Sequence, residues 1–366
     1  ITNYINKIMG GSSSKEPGTV IESGIIGSKD KSYITTVIQA LYNIPSLKDY
    51  FSKKLYNENP NKHLSILFNK IVIKPLNKIN FQEEGKNILQ ILKNEYKLNQ
   101  ANTPGEFLIQ ILLVLKYEEK NILNHNWEEY TLKTPQLLAN LSDNKKALDD
   151  ILDKNIIHFN TIFSAMFFGI FLAKRKMQNI TNVLYFYNFY CVYELSIPEI
   201  LKNMENKGKI KYNDEQTPNI HLIDCIKEMK ETHIELFNKE QCYSEYYIYN
   251  TPNILIFLIK RDLENYSTFR GKIIFEENID LTQNILFNQN NQSNKYKLIS
   301  IISEYKYKDK EVVFSSDGKD YPFYKAVFRG ENDNFYYYGK KNSTKKWDLT
   351  IDDENYFHDI LIYMRY

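Results

Sequence analysis

The pattern of apolar residues changes near residue 156, and this change limits the folds that are open to the chain. Before it, apolar residues recur at helical spacing, as at Ile34, Val37, Ile38 and Leu41. After it, segments rich in aromatic and β-branched residues predict strands, among them a continuous apolar run at 254–259 that is typical of a buried central strand. Helices followed by the strands of a mostly antiparallel sheet predict an α+β fold.

Local signals predict several individual elements. Pro104 predicts the start of a helix, whereas residues 128–154 predict helix and turn and residues 219–237 predict a return to helix. The apolar run Ile162–Ala173 is shorter than the ~20 residues that a membrane-spanning helix needs, so it predicts a buried helix or a pair of strands.

The N-terminal region has the composition of a linker. Residues 10–18 are rich in glycine and serine, so residues 1–23 are predicted to be an arm and a flexible linker. The chain starts at Ile1, and its sequence leaves open whether a further segment precedes it.

The charge and the cysteine content limit the kinds of ligand and the cellular compartment that we expect. The 366 residues include 47 basic and 45 acidic side chains, which are interspersed, so neither direct nucleic-acid binding nor membrane binding is expected. The cysteines are Cys191, Cys225 and Cys242, and no Cys-x-x-Cys pair exists. We therefore expect an intracellular, reducing compartment, no structural zinc and no cofactor.

A polar loop before the first helix is the strongest candidate for a catalytic site. Residues 24–31 form a glycine-flanked loop that leads into the buried helix at Ser32, and many enzymes place a nucleophile at such a helix start. Ser32 is therefore a candidate nucleophile. The alternative is a capping or first-turn role, for which Asp30 competes.

Five segments, in order, resemble the motifs of the ubiquitin-specific protease family. Residues 24–39 match Gly-Leu-x-Asn-x-Gly-Asn-Thr-Cys-Tyr-x-Asn-Ser-x-Leu-Gln without a gap, and residues 103–115 resemble the Asp-Ala-x-Glu-Phe-Leu helix. Residues 251–261, 296–303 and 360–365 resemble three of its strands. The resemblance implies a papain-like fold over residues 24–366, with a helical thumb at 24–154 and an antiparallel palm and fingers at 155–366.

The departures from the family pattern fall on its catalytic positions. The nucleophilic cysteine corresponds to Ser32, and the oxyanion-stabilising asparagine to Gly27. The histidine base corresponds to Phe323, in "PFY" instead of Gly-His-Tyr. The orienting acid corresponds to Ile351, followed by Asp352. The family's zinc-binding cysteine pairs are missing, and Cys242 alone remains near the second pair.

These departures predict a catalytically inactive member that acts as a protein-binding scaffold or assembly factor in a larger complex. Inactive relatives serve in splicing, in RNA-deadenylation complexes and, more distantly, in virions, so the cytoplasm, the nucleus and a virion all remain open. Two alternatives also remain: an active deubiquitinase that uses another base, such as His358, and a module that binds ubiquitin or a ubiquitin-like protein without cleaving it. Binding is assigned to Glu106 and Phe107, which the family motif retains.

Overall fold

The protein is described here from a computed structural model. The description covers residues 32–53, 61–74, 78–120, 136–140, 161–177, 183–210, 218–230, 233–237, 240–261, 269, 271–285, 293–305, 324–330, 332–338, 344–347 and 356–366. The predicted arm and linker, residues 1–23, lie outside this set. The chain divides into two compact units, one formed by Ile1–Asn124 and Leu298–Ile362 and the other by His125–Lys297 and Tyr363–Tyr366.

The first unit contains five described helices. They are α1 (Ser32–Tyr42), α2 (Pro45–Ser52), α3 (His63–Ile73), α4 (Phe81–Asn94) and α5 (Pro104–Lys120). The predicted start of a helix at Pro104 is confirmed.

Helix α1 lies in the core of this unit. Every residue from Tyr33 to Leu41 is buried, including the polar side chains Thr35, Thr36 and Gln39. The helix packs against α4 and α5. Gly85 of α4 permits a close approach, because a Cβ atom at that position would lie 2.6 Å from Cγ2 of Ile34.

A buried carboxylate caps the start of α3. The backbone N–H groups of Leu64 and Ser65 donate to the two carboxylate oxygens of Glu118 over 2.7 and 2.6 Å. The hydroxyl of Tyr96 also donates to this carboxylate. Glu118 is fully buried on α5, so this group satisfies orphan donors of the helix N-terminus from another helix.

The sheet of the first unit is antiparallel in its described pairs. Its strands are β11 (Lys295–Tyr305), β12 (Tyr324–Arg329), β13 (Phe335–Tyr338), β14 (Thr344–Trp347) and β15 (Tyr356–Arg365). The second segment of the first unit, Leu298–Ile362, begins within β11 and ends within β15. Their order is β14-β13-β12-β11-β15. Helix α1 packs against β12, which is the third of these five strands.

The second unit holds the remaining elements. These are β1 (Gln136–Asn140), α6 (Ile162–Phe167), β2 (Gly169–Met177), β3 (Val183–Tyr190), β4 (Tyr193–Ser196), α7 (Ile197–Asn206), β5 (Ile220–His221), α8 (Leu222–Lys230), β6 (His233–Phe237), β7 (Glu240–Asn250), β8 (Ile254–Lys260), β9 (Ile273–Ile274) and β10 (Asn278–Asp280). Five of the strands form an antiparallel sheet in the order β1-β3-β2-β7-β6. Two pairs, β4 with β8 and β5 with β9, are parallel.

Two buried tyrosines of the second unit each donate to a main-chain acceptor. The hydroxyl of Tyr190 donates to the carbonyl oxygen of Asn250 over 3.3 Å, and that of Tyr363 donates to the carbonyl oxygen of Glu276 over 2.8 Å. Burial raises the pKa of both phenols well above its usual value.

The structure corrects three local predictions. Within residues 128–154, predicted as helix and turn, Gln136–Asn140 is a strand. Within residues 219–237, only Leu222–Lys230 is helical, and strands β5 and β6 flank it. The apolar run from Ile162 contains both a helix and a strand, because α6 ends at Phe167 and β2 starts at Gly169.

Residues 298–362 form one compact unit with residues 1–124. The predicted division into a thumb at 24–154 and a palm and fingers at 155–366 stays a prediction. Among the described residues, no helix is both long enough and apolar enough to cross a membrane.

Candidate active site

The helix that carries the predicted nucleophile position begins at that position. Ser32 is the first residue of α1, although its side chain lies outside the described set. The next residue, Tyr33, holds this end of the helix against the segment around the start of α5. The hydroxyl of Tyr33 donates to the carbonyl oxygen of Ala101 over 2.6 Å, and its ring meets Phe107 edge-on at 5.9 Å between ring centroids.

One of the two predicted binding residues, Glu106, makes hydrogen bonds at the start of α5. The backbone N–H of Glu106 donates to Oγ1 of Thr103 over 3.2 Å, and the backbone N–H of Asn102 donates to the Glu106 carboxylate over 2.8 Å. This arrangement resembles a capping box. Phe107 is fully buried, so it offers no surface to a partner, and the prediction of direct binding narrows to the exposed Glu106.

A second contact ties the first two turns of α1 to β12. The hydroxyl of Thr36 donates a long hydrogen bond, 3.5 Å, to the carbonyl oxygen of Tyr324. Thr36 lies one helical turn after Ser32, and Tyr324 directly follows Phe323 in the chain. The contact therefore joins the segment with the predicted nucleophile position to the segment with the predicted base position.

The structure does not describe the other positions at which this sequence departs from the family's catalytic residues. Gly27, Phe323, Ile351 and Asp352 lie outside the described residues. Their assignment to the oxyanion, base and orienting positions stays a prediction. Sequence reasoning did not single out Thr36, although its position one turn after Ser32 on the same helix was an available signal.

His358, the alternative base, is held in a neighbouring strand. Its Nδ1 lies 2.8 Å from the hydroxyl oxygen of Ser303. His358 belongs to β15, and β11 lies between β15 and β12 in the sheet order. Two strand spacings of about 4.8 Å put the backbone of β15 about 10 Å from that of β12.

The other histidines that the structure describes lie on different elements. They are His63 on α3, His221 on β5 and His233 on β6. His63 and His221 each lie 3.6 Å from a glutamate, Glu95 and Glu276 respectively. None of the four described histidines belongs to α1 or β12, so no imidazole accompanies the Thr36–Tyr324 contact on those two elements.

Two cysteines with described side chains are buried. They are Cys191 and Cys225, and neither forms a disulfide bond. Burial raises the pKa of the Cys225 thiol to about 12. No group of three or more His, Cys, Asp or Glu side chains that could hold a metal ion occurs among the described residues.

A sequence model of the family described as ubiquitin carboxyl-terminal hydrolase matches residues 23–355. The chain belongs to this family. The matched range includes Ser32, Phe323 and the three other predicted catalytic positions.

Solved structures of the SAGA DUB module show the same fold. The yeast module with a mutant Sgf73 is 13% identical, with 96% of this chain and 71% of that chain covered and a TM-score of 0.62. The Ubp8/Sgf11/Sus1/Sgf73 module bound to ubiquitin aldehyde is 14% identical, with 100% and 74% covered and a TM-score of 0.62. The Ubp8-Sgf11-Sgf73-Sus1 module is 15% identical, with 100% and 72% covered and a TM-score of 0.62. No curated protein matched the sequence of this chain.

These comparisons confirm the predicted fold class. The ubiquitin carboxyl-terminal hydrolase domain described here has the papain-like α+β fold of ubiquitin-specific proteases, with helices and mixed sheets.

Proposed function

We propose that this hydrolase-family domain is catalytically inactive and serves as a protein-binding scaffold or assembly factor. The observation that carries the proposal is the hydrogen bond from Thr36 to the carbonyl oxygen of Tyr324. It joins a residue one helical turn after Ser32 to the residue after Phe323, and we propose that Ser32 and Phe323 occupy the family's nucleophile and base positions.

The replaced side chains remove the chemistry in three ways. A serine hydroxyl needs a general base more than a thiol does, and the ring of Phe323 accepts no proton. Gly27 has no carboxamide to donate to a developing oxyanion, and the loss of one such donor typically lowers kcat by ~10²–10³-fold. The positive end of the α1 dipole favours a thiolate, but it does not replace a base for serine.

The partners that we propose are proteins in a multi-subunit assembly. Several similar structures are multi-subunit DUB modules, and two of them contain ubiquitin aldehyde or monoubiquitin. For this chain we propose weak or absent ubiquitin binding, because Thr103 replaces an acidic residue of the family's tail-binding motif. We also propose an intracellular, reducing location, on the basis of the cysteine content.

Hydrolysis of a ubiquitin–fluorophore conjugate tests the inactivity. The unmodified protein and the Ser32→Cys variant are both expected to release no fluorophore, because a thiol without a base is ionised only to a few per cent at pH 7. The triple variant Ser32→Cys, Phe323→His, Gly27→Asn restores all three groups, and it is the form in which a trace of cleavage is expected. If the unmodified protein cleaves the conjugate and Ser32→Ala abolishes this cleavage, then Ser32 is a nucleophile.

A titration with ubiquitin separates the scaffold from a non-cleaving ubiquitin binder. The expected dissociation constant is weaker than ~10 µM, a binding free energy less favourable than roughly −7 kcal/mol. A tighter constant, without cleavage, would favour the non-cleaving binder over the scaffold.

A further inference from the structure

A groove runs between two helices of the first unit, and we call it the α3–α4 groove. It has a volume of about 440 Å³. Ile66, Leu67 and Ile91 form its apolar floor, and all three are half-buried. Neither α1 nor β12 contributes to it, so what the groove binds is independent of the proposed inactivity.

A row of carboxamides follows the α4 side of the groove. Asn87, Gln90 and Asn94 line it, all three are exposed, and they are three and four residues apart. These separations correspond to about 4.5 and 6 Å along the helix axis. The side-chain amides of Gln90 and Asn94 have no protein partner within the described part of the chain, whereas Asn87 makes a long contact of 3.4 Å with Glu84.

Carboxamides in a row match the backbone of an extended peptide. Each carboxamide offers a hydrogen-bond donor and an acceptor. Each residue of an extended chain likewise has one backbone N–H and one backbone C=O that need partners. The row spans about 10 Å, which is the length of three extended residues. A helical ligand would leave the row without partners, because its backbone groups are bonded internally.

The charges at the two ends of the groove give it a polarity. His63 lies 3.6 Å from Glu95, which places the start of α3 beside the end of α4. Lys70 lies seven residues further along α3, about 10 Å away, and also lines the groove. Its ammonium is exposed and has no ion-pair partner among the described residues.

We propose that the α3–α4 groove binds an extended, apolar segment of a partner protein. Because side chains alternate along an extended chain, every second side chain of the segment packs on the floor formed by Ile66, Leu67 and Ile91. Its backbone pairs with the carboxamides of Gln90 and Asn94. An acidic side chain at one end of the segment meets Lys70.

Fluorescence polarisation with defined probes tests this binding. The probes are two fluorescein-labelled octapeptides, blocked at both ends, in which leucine alternates with serine and one aspartate is either the first or the last residue. One of the two is expected to bind with a dissociation constant of about 10–100 µM, as suits a short segment. Gln90→Ala is expected to weaken that binding about threefold to tenfold, because one hydrogen-bond partner is lost.

A charge reversal with a matched control gives the sharpest outcome. Lys70→Glu is expected to weaken binding of the aspartate probe about fivefold, and a probe with lysine in place of aspartate is expected to recover it. Lys93→Glu, on α4 but outside the groove, makes the same change in net charge and is expected to leave binding unchanged.

Three results would overturn the proposal: no binding of either octapeptide, equal losses in the Lys70 and Lys93 variants, or tighter binding of an amphipathic helical peptide that Gln90→Ala does not weaken. Circular dichroism of each variant confirms that the helices remain folded.

Discussion

The close contact between α1 and α4 predicts that alanine at position 85 destabilises the fold. Two effects oppose each other at Gly85. Alanine is intrinsically better than glycine in a helix interior by about 1 kcal/mol. Against this gain, the added Cβ would lie 2.6 Å from Cγ2 of Ile34 and 3.4 Å from Cδ1 of Ile38.

The packing effect is expected to be the larger of the two. Cγ2 of Ile34 is attached directly to Cβ, and a β-branched side chain in a helix has essentially one rotamer, so this methyl group cannot swing away. Overpacking of a core by one methyl group costs typically 1–3 kcal/mol, and a contact this short belongs at the upper end. Gly85→Ala is therefore expected to lower the free energy of unfolding by about 2 kcal/mol, the difference between ~3 and ~1.

Urea unfolding followed by circular dichroism measures this effect in two backgrounds. In the Ile34→Ala background the obstructing methyl group is absent, so Gly85→Ala is expected to stabilise the protein by about 1 kcal/mol. The change of sign corresponds to a coupling of about 3 kcal/mol between the two positions. The difference between Lys86→Gly and Lys86→Ala, at the exposed neighbouring position, calibrates the helix propensity of α4.

The explanation would be wrong if Gly85→Ala changed the free energy of unfolding in the same direction in both backgrounds. If Gly85→Ala stabilised the natural sequence, α1 and α4 would have to be further apart than described. If it destabilised the Ile34→Ala background equally, the cause would lie in the backbone of α4 and not in the contact with α1.

Two further predictions concern buried ionisable groups. Glu118→Gln is expected to lower the free energy of unfolding by about 2 kcal/mol in urea titrations, because the NH2 group that replaces one carboxylate oxygen cannot accept from the N–H of Leu64 or Ser65 that this oxygen now serves; no loss would mean that the cap is unimportant. The raised pKa values of Tyr190 and Tyr363 mean that the unfolded chain releases phenolic protons near pH 10 while the folded chain retains them. Stability is therefore expected to fall as the pH rises above about 10, and the 295 nm absorbance of these phenolates should appear only with unfolding.

The elements with strong local signals were predictable from the sequence. The apolar spacing from Ile34 to Leu41 predicted α1, Pro104 predicted the start of α5, and the apolar run at 254–259 predicted β8. Each of these signals lies within the element that it predicts. The family motifs also predict which residues stand at the catalytic positions, and the first motif does so without a gap over residues 24–39; these assignments stay predictions.

The features that depend on distant parts of the chain were not predictable. Strand β1 was missed because five residues that pair with β3 need not show an alternating pattern of their own. The contact of Thr36 with Tyr324 joins residues 288 positions apart, and no local pattern reports it. The α3–α4 groove was missed for the same reason, since its floor combines half-buried residues of two helices whose facing is set by tertiary packing.

The position of Ser32 at the start of α1 has a consequence for how such proteins are counted. An electrophilic ubiquitin derivative that alkylates a reactive thiolate is not expected to label Ser32, because the thiolate is the nucleophile in such a reaction and a serine has none. The buried thiols of Cys191 and Cys225 offer no substitute. On the proposed assignment of Ser32, labelling experiments are expected to omit this chain, whereas comparisons of fold include it, so the two methods measure different properties of the family.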